Sequence, residues 1–265
     1  MAERVYPAVI RAAMGGFKAL GIKFRMTGLE NIPATGGMVL ASNHVSYLDF
    51  IFAGLAPWVK HRRLTRFMAK EAVFRHRLSG PLMRGMHHIS VDREAGSASL
   101  RAALKALKAG EIVGVFPEAT VSQSFTVKEL KSGAVRMAAS ARVPILPVVV
   151  WGGHQIYGKG SRRSLARGKT ISIAVGEPYQ ISTKDDMTAA SEHLRKTLQA
   201  LLDDVQAAHP DTANPPPNAW WLPAHLGGTA PTPEEAARID AAVVARRRAA
   251  RAAQIAEEDA KERKG

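Results

Sequence analysis

The sequence predicts an α/β domain: a mixed, largely parallel central sheet flanked by helices, with an N-terminal amphipathic helix and a C-terminal helical tail. Two observations carry this. Short apolar runs, at 38–41, 112–116 and 145–150, alternate with longer segments of helical period. That interleaving stops near residue 210, where the composition turns to proline, glycine and asparagine. The chain therefore divides into a helix over 1–20, a domain over 21–210, a linker over 211–231 and an exposed helical tail over 232–265.

In the first segment Val5, Val9, Ala13 and Phe17 recur every four residues, with Ile10 and Met14 beside them. Arg4, Arg11 and Lys18 share another face. Two readings stand: a helix lying in a membrane interface, or a first helix packed on the domain. Pro7 and the Gly15-Gly16 pair work against a continuous helix.

Strands are expected at 22–27, 38–42, 66–69, 89–91, 112–116, 145–150 and 170–175. The helix after residue 49 should end at about Ala56, because Pro57 follows. Residues 71–86 read as an amphipathic helix broken near Gly80-Pro81, and 97–108 as a helix with Leu100, Leu104 and Leu107 on one side. A further helix is expected over 132–141. Pro144 and Pro147 point to an edge position or an irregular start for the strand at 145–150. Thr183-x-x-Asp186 can cap a helix running to about His209. In the linker, Trp220-Trp221-Leu222 is apolar enough to favour docking on the domain over contact with lipid headgroups. Thr232, Pro233 and Glu235 stand at the N-cap, N1 and N3 positions of the tail helix.

Composition narrows the function classes. With 265 residues, 46% of them hydrophobic, the chain can bury a sizeable core. The absence of cysteine excludes disulfides, thiolate metal sites and a cysteine nucleophile, and fits a cytosolic setting. No run approaches the roughly 18 apolar residues of a spanning helix. No secretory signal is expected, since Arg4, Arg11 and Lys18 interrupt the N-terminal apolar positions. The net charge is +14, concentrated in two segments: 60–84 has eight Lys/Arg against Glu71, and 158–169 has five with no acid. Such surfaces seek an anionic partner. A nucleic-acid-binding module is the competing class, but it calls for exposed aromatics along the basic face, and aromatics are only 6%. No nucleic acid is expected. Nor is a metal: the nine histidines form no ligand cluster, and His87-His88, adjacent on a strand, would point to opposite faces.

The stretch 42–49 holds the candidate chemistry. His44 and Asp49 sit between a strand and a helix, the kind of turn where α/β domains place working groups. Histidine suits proton transfer near neutral pH, and a carboxylate behind it can hold its tautomer. The competing reading is that Ser46-x-x-Asp49 is only a capping box. Three further clusters fall at strand ends: Val91-Asp92-Arg93; Phe116-Pro117-Glu118-Ala119-Thr120, followed by Lys128 and Lys131-Ser132-Gly133; and Pro144-Ile145-Leu146-Pro147.

Taken in series, these blocks resemble the glycerolipid acyltransferases over roughly residues 20–180. Asn43, His44 and Asp49 match the family's Asn-His-x-x-x-x-Asp, and Arg93 the arginine after a hydrophobic strand. Phe116, Pro117, Glu118 and Thr120 match part of Phe-Pro-Glu-Gly-Thr-Arg; Pro144 to Pro147 match the Pro-Ile-x-Pro strand; Lys131 and Gly133 fit Lys-x-Gly. Ala119 and Val121 depart, standing where the family has glycine and arginine. The resemblance implies fatty acyl transfer from a thioester, on coenzyme A or acyl carrier protein, to a lysophospholipid hydroxyl. The most favoured acceptor is 1-acyl-glycerol-3-phosphate. A different lysolipid or glycolipid acceptor is the alternative, because Val121 lacks the family's phosphate-gripping arginine. His44 would be the base, with Asp49 orienting it. Asn43, Arg93, Glu118, Thr120, Lys131 and Gly133 would be substrate contacts, with Arg93 and Lys131 able to hold a phosphate. Backbone N–H groups after His44, or near 118–120, are oxyanion candidates. Coenzyme A and acyl carrier protein enter as co-substrates, not resident cofactors. The enzyme would lie on the cytoplasmic face of an anionic membrane as a peripheral protein. A hydrolase using His44 is a second enzyme class, distinguished by release of fatty acid without an acceptor.

Overall fold

The computed structural model describes residues 3–92, 96–161, 163–212, 215 and 217–262. The apolar runs form a seven-stranded sheet: β1 (Lys23–Thr27), β2 (Met38–Ser42), β3 (Thr65–Lys70), β4 (Ile89–Val91), β5 (Ile112–Val115), β6 (Ile145–Trp151) and β7 (Thr170–Val175). Their spatial order is β1-β7-β6-β2-β5-β3-β4. Neighbouring strands are parallel except β6 and β7. This is the mixed, largely parallel sheet expected. The helices are α1 (Val5–Ala19), α2 (Asp49–His61), α3 (Glu71–Arg75), α4 (Ser79–Gly85), α5 (Gly96–Lys108), α6 (Gly133–Ala141), α7 (His154–Tyr157), α8 (Met187–Ala208) and α9 (Pro233–Glu262).

Alternation along the strands builds a core on each face. Val39 and Ala41 of β2 join Leu107 of α5, Val135 of α6 and Leu194, Leu198 and Leu202 of α8. Met38 and Leu40 point the other way, to Phe52 and Leu55 of α2, Tyr6 and Ile10 of α1, and Ile171 and Ile173 of β7. The central strands are buried on both faces, which is why they read as continuous apolar runs. Helix α1 packs on the domain, with the Tyr6 hydroxyl donating to the Thr65 carbonyl at 2.9 Å. Trp221 and Leu222 lie in the first core, whereas Trp220 is exposed.

Several local expectations give way to tertiary packing. Helix α2 runs through Pro57 to His61. The missing proline N–H and ring clash cost roughly 3 kcal/mol in a helix interior. Burial of Phe52, Ala53, Leu55, Ala56 and Pro57 opposes that cost, and Arg62, in the left-handed conformation, closes the last turn onto the Trp58 carbonyl at 2.9 Å. Strand β6 is interior, between β2 and β7, not at an edge. Pro147 is tolerated because it faces Gly176, just beyond the end of β7; the Gly176 N–H donates to its carbonyl at 2.9 Å, and the bond a proline cannot return falls where the ladder stops. The break between α3 and α4 lies at 76–78, and Pro81 sits in the first turn of α4, where no intrahelical N–H bond is required. Asp186, not Thr183, caps α8 by accepting the Thr188 N–H at 2.7 Å. His87 has left-handed backbone and precedes β4, so it does not alternate with His88 on a strand. Thr232 and Glu235 do form the reciprocal capping box that starts α9, at 2.8 and 3.2 Å. Among the described residues no helix is long and apolar enough to cross a membrane.

Candidate active site

The chains leaving the C-terminal ends of β2, β5 and β6 meet at one end of the sheet, and β2 lies between the other two. In parallel α/β sheets, this is the end where ligands bind. Just past β2, the Asn43 side chain continues the strand's hydrogen bonding. Its amide donates to the Val150 carbonyl at 3.0 Å and its oxygen accepts the Val150 N–H at 2.8 Å. Asn43 is therefore buried as a clamp on β6, with its polar groups turned away from the open side. The contact with substrate expected for it does not fit this orientation.

The clamp delivers His44. Its ring stacks on Phe116, with centroids 4.3 Å apart, and Nδ1 lies 3.0 Å from Asp49 Oδ2. The imidazole is partly open, with 19% of its side chain accessible, while Asp49 is wholly buried. Asp49 is the first residue of α2. Its Oδ2 also accepts the N–H groups of Val45 and Ser46, both at 2.7 Å. The carboxylate therefore ties the turn upstream of its own helix. Only half of the capping box forms: Asp49 accepts the Ser46 N–H, but the Ser46 hydroxyl donates to the Tyr157 carbonyl at 2.9 Å and accepts the Leu48 N–H at 3.1 Å rather than that of Asp49. Burial pushes the Asp49 carboxyl above its ordinary value, and the bond from His44 and the two backbone N–H bonds act against that. Those two N–H groups are spent on Asp49, which removes them as oxyanion donors.

Glu118 is the second buried carboxyl, and it too is a tie. One oxygen accepts the His44 N–H at 2.7 Å and the other the Lys128 N–H at 3.1 Å. Burial pushes it up to about 8, against the pull of those bonds. With both oxygens engaged inward, Glu118 shapes the loop that carries His44 instead of meeting an acceptor hydroxyl. The Ser122 N–H completes the frame by donating to the His44 carbonyl at 2.7 Å. Ala119 holds a left-handed backbone, φ 60°, which explains why glycine suits this position. Val121 is buried, so this loop brings no cation at the family's arginine position. Thr120 is exposed, and its hydroxyl accepts a bond from Lys128 Nζ at 2.7 Å. Lys131 is exposed and its N–H is held by the Pro117 carbonyl at 2.9 Å; Gly133 opens α6 with free space at its Cα. Arg93 lies outside the described residues. Among the described residues, no group of His, Asp and Glu could hold a metal ion.

A family profile described as Acyltransferase matches residues 23–151, the segment from β1 to the end of β6. The 1-acyl-sn-glycerol-3-phosphate acyltransferase of Bacillus subtilis is 30% identical over 181 residues, covering 65% of this chain and 84% of the relative. The chain belongs to the acyltransferase family. The protein of the same name from Borreliella burgdorferi is 29% identical, over 69% of this chain and 70% of the relative. The crystal structure of the 1-acyl-sn-glycerophosphate acyltransferase PlsC from Thermotoga maritima superposes with a TM-score of 0.61 at 22% identity, covering 76% of this chain and 79% of that one. That likeness shows the shared fold of this acyltransferase-family chain.

Some contributors to the site carried no local signal. Phe116 was legible as part of a motif but not as a platform for the imidazole. The Tyr157 carbonyl, from the segment after β6, fastens Ser46 and receives the Tyr47 N–H at 3.1 Å. That tie is between residues far apart in the chain.

Proposed function

We propose that the protein transfers a fatty acyl group from a thioester, on coenzyme A or acyl carrier protein, to the free hydroxyl of 1-acyl-glycerol-3-phosphate, giving phosphatidic acid. The observation that carries this reading is the His44–Asp49 pair at 3.0 Å, at the ligand-binding end of an acyltransferase-family sheet. The names of the relatives support the choice of acceptor. A lipid hydroxyl is a poor nucleophile until a base takes its proton during attack. With Nδ1–H donated to Asp49, the Nε2 lone pair is the basic end, and it faces away from the carboxylate. As the acceptor oxygen bonds to the thioester carbon, Nε2 takes the hydroxyl proton. Collapse of the tetrahedral intermediate breaks the carbon–sulfur bond, and the imidazolium returns the proton to the departing thiolate. Asp49 stabilises the imidazolium in between. Arg93 and Lys131 are the proposed contacts of the acceptor head group carried from the sequence.

Such an enzyme works on lipid at a surface. Val73, Leu78 and Leu82 of the α3–α4 region are 38, 78 and 47% exposed, and Val5 of α1, which touches Gly85, is 42% exposed. Arg75 and Arg77 stand among them. This apolar patch with a basic rim supports peripheral attachment to an anionic bilayer, with the cytoplasmic leaflet as the proposed face. The basic stretch 60–84 does not act as a unit, however. Arg66 is buried against Glu3 and Glu111, and Arg63 donates to the Pro33 and Gly110 carbonyls.

The reading is tested by incubating the purified protein with one labelled acyl-CoA and a panel of lysolipids, followed by mass spectrometry. Phosphatidic acid should form from 1-acyl-glycerol-3-phosphate, and little free fatty acid should appear when the acceptor is omitted. Rapid acyl-CoA hydrolysis without acceptor and no acylated lipid would assign the site to a hydrolase.

A further inference from the structure

Two lysines from separate loops converge on one carboxylate beside the segment that carries His44. Asp240 of α9 accepts an ion-paired hydrogen bond from Lys128 Nζ on one oxygen and from Lys159 Nζ on the other. Lys128 Nζ donates in addition to Thr120 Oγ1 at 2.7 Å. Only 26, 22 and 21% of the Lys128, Lys159 and Asp240 side chains is accessible.

Both lysines are coupled to His44 through the backbone. The Lys128 N–H and the His44 N–H bind the two oxygens of Glu118. Lys159 follows Gly158, which bridges Ser46, and Tyr157, whose carbonyl receives the Tyr47 N–H. Two ammonium groups and a hydroxyl are thus presented by the same loops that hold the imidazole. They stand in a protein whose Val121 leaves the family's arginine position without a cation.

A site that gathers two ammoniums around one anion is better matched by a phosphate monoester than by a carboxylate. The monoester carries nearly twice the charge at neutral pH and three terminal oxygens to share between the donors. The occupant is also lightly attached. From 233 to 246, Ala236 is the only residue of α9 that is buried, while Ile239 and Val244 are exposed.

We propose that Lys128 and Lys159, in addition to the head-group contacts proposed above, form a subsite for the phosphate monoester of the lipid acceptor, and that Asp240 of α9 occupies it until the acceptor displaces it. The proposal rests on the reading of the chain as an acyltransferase with a phosphorylated acceptor. Helix α9 is then a latch on the loops that hold the His44 segment, opened by the substrate's own head group.

The test uses the full chain and the variants Lys128→Met, Lys159→Met and Asp240→Asn, each checked for an unchanged circular dichroism spectrum. Methionine keeps the aliphatic stem and removes the charge. Binding of a short-chain 1-acyl-glycerol-3-phosphate, below its micellar concentration, is measured by calorimetry beside its phosphate-free 1-acylglycerol counterpart. Steady-state kinetics are measured with acyl-CoA and the same acceptor. Each lysine variant should weaken binding of the phosphorylated lipid by about tenfold or more, as expected for loss of a charge-assisted bond, and leave the phosphate-free lipid unaffected. The acceptor KM should rise in parallel and the acyl-CoA KM should stay constant. Asp240→Asn should tighten binding several-fold, since the internal competitor has lost its charge. A rise confined to the acyl-CoA KM would assign the lysines to the donor and overturn the proposal. So would an Asp240→Asn variant that melts earlier but binds the lipid no better. If the lysine variants lose binding yet the wild type transfers no acyl group, the subsite stands and the acyltransferase reading fails. If the wild type transfers and the lysine variants keep their acceptor KM, the reading stands and the subsite fails.

Discussion

At the scale of single residues, the site depends on buried groups that hold His44 more than on groups that meet solvent. Asp49 spends Oδ2 on Nδ1 of His44 and on the N–H groups of Val45 and Ser46. Asp49→Asn should therefore lower kcat by up to about 10⁴-fold, the loss expected when the tautomer is no longer held, with a small change in the KM of either substrate. A kcat within a factor of two would remove Asp49 from the mechanism. Ala119 holds φ 60° without a glycine's freedom. Ala119→Gly should thus raise stability by up to about 1 kcal/mol, since a Cβ in this region costs 1–2 kcal/mol and glycine's extra unfolded-state entropy takes part of it back. Denaturant unfolding measures this, and a clear loss of stability would contradict it. Glu118, pushed up to about 8, is protonated in the folded protein at pH values where the unfolded chain has already released the proton. Its contribution is therefore fully present below about pH 4.5 and is lost as pH rises through about 8. The melting temperature of the wild type, measured against Glu118→Gln, should fall across that window; a pH-independent difference would refute the assignment. His44 and Asp49 were legible as a pair from their spacing and the later blocks. Asn43 and Glu118 were legible as positions but not as roles, because their partners, Val150 and Lys128, are not fixed by local pattern.

At the scale of elements, most strands and helices followed from periodicity, and the exceptions have physical causes. Pro57 ends a helix only if packing does not oppose it, and here the buried face of α2 continues past it. Pro147 marks an edge only if the strand facing its ring nitrogen needs a donor there, and here it meets Gly176, whose N–H donates to the Pro147 carbonyl at the end of the ladder. The basic run at 60–84 looked like one surface, but Arg63 and Arg66 turn inward while Arg77 remains exposed. What remains outside is the α3–α4 patch. Replacing Leu78 and Leu82 together by glutamate should reduce co-sedimentation with vesicles rich in anionic lipid by about tenfold or more, since each buried leucine side chain supplies roughly 1.5–3 kcal/mol. The melting temperature should hold, because both side chains are exposed. Undiminished sedimentation would place the membrane surface elsewhere, for example at exposed Leu165 or Trp220.

At the scale of the whole molecule, the sheet explains why residues so far apart in sequence act together. Strand β2 is bracketed by β5 and β6, so the segments after all three strands meet at one end: His44 from the first, Glu118 from the second, Tyr157 and Lys159 from the third. The fold class was legible because both faces of the sheet are buried and the strands alternate with helices. Strand order was not, since it is written in pairings such as Ala41 with Pro147 rather than in any local pattern. Helix α9 illustrates the same limit: an Ala/Arg-rich tail reads as solvated, yet Asp240 reaches back to two lysines of the domain. The proposed chemistry turns on Nε2 of His44 taking the acceptor's proton. The most direct measurement is single-turnover acyl transfer to 1-acyl-glycerol-3-phosphate by wild type and His44→Ala, with products read by mass spectrometry and folding checked by circular dichroism. Phosphatidic acid is expected from the wild type, with a loss of at least about 10²-fold in rate for the folded variant; near-wild-type transfer by His44→Ala would rule out His44 as the base.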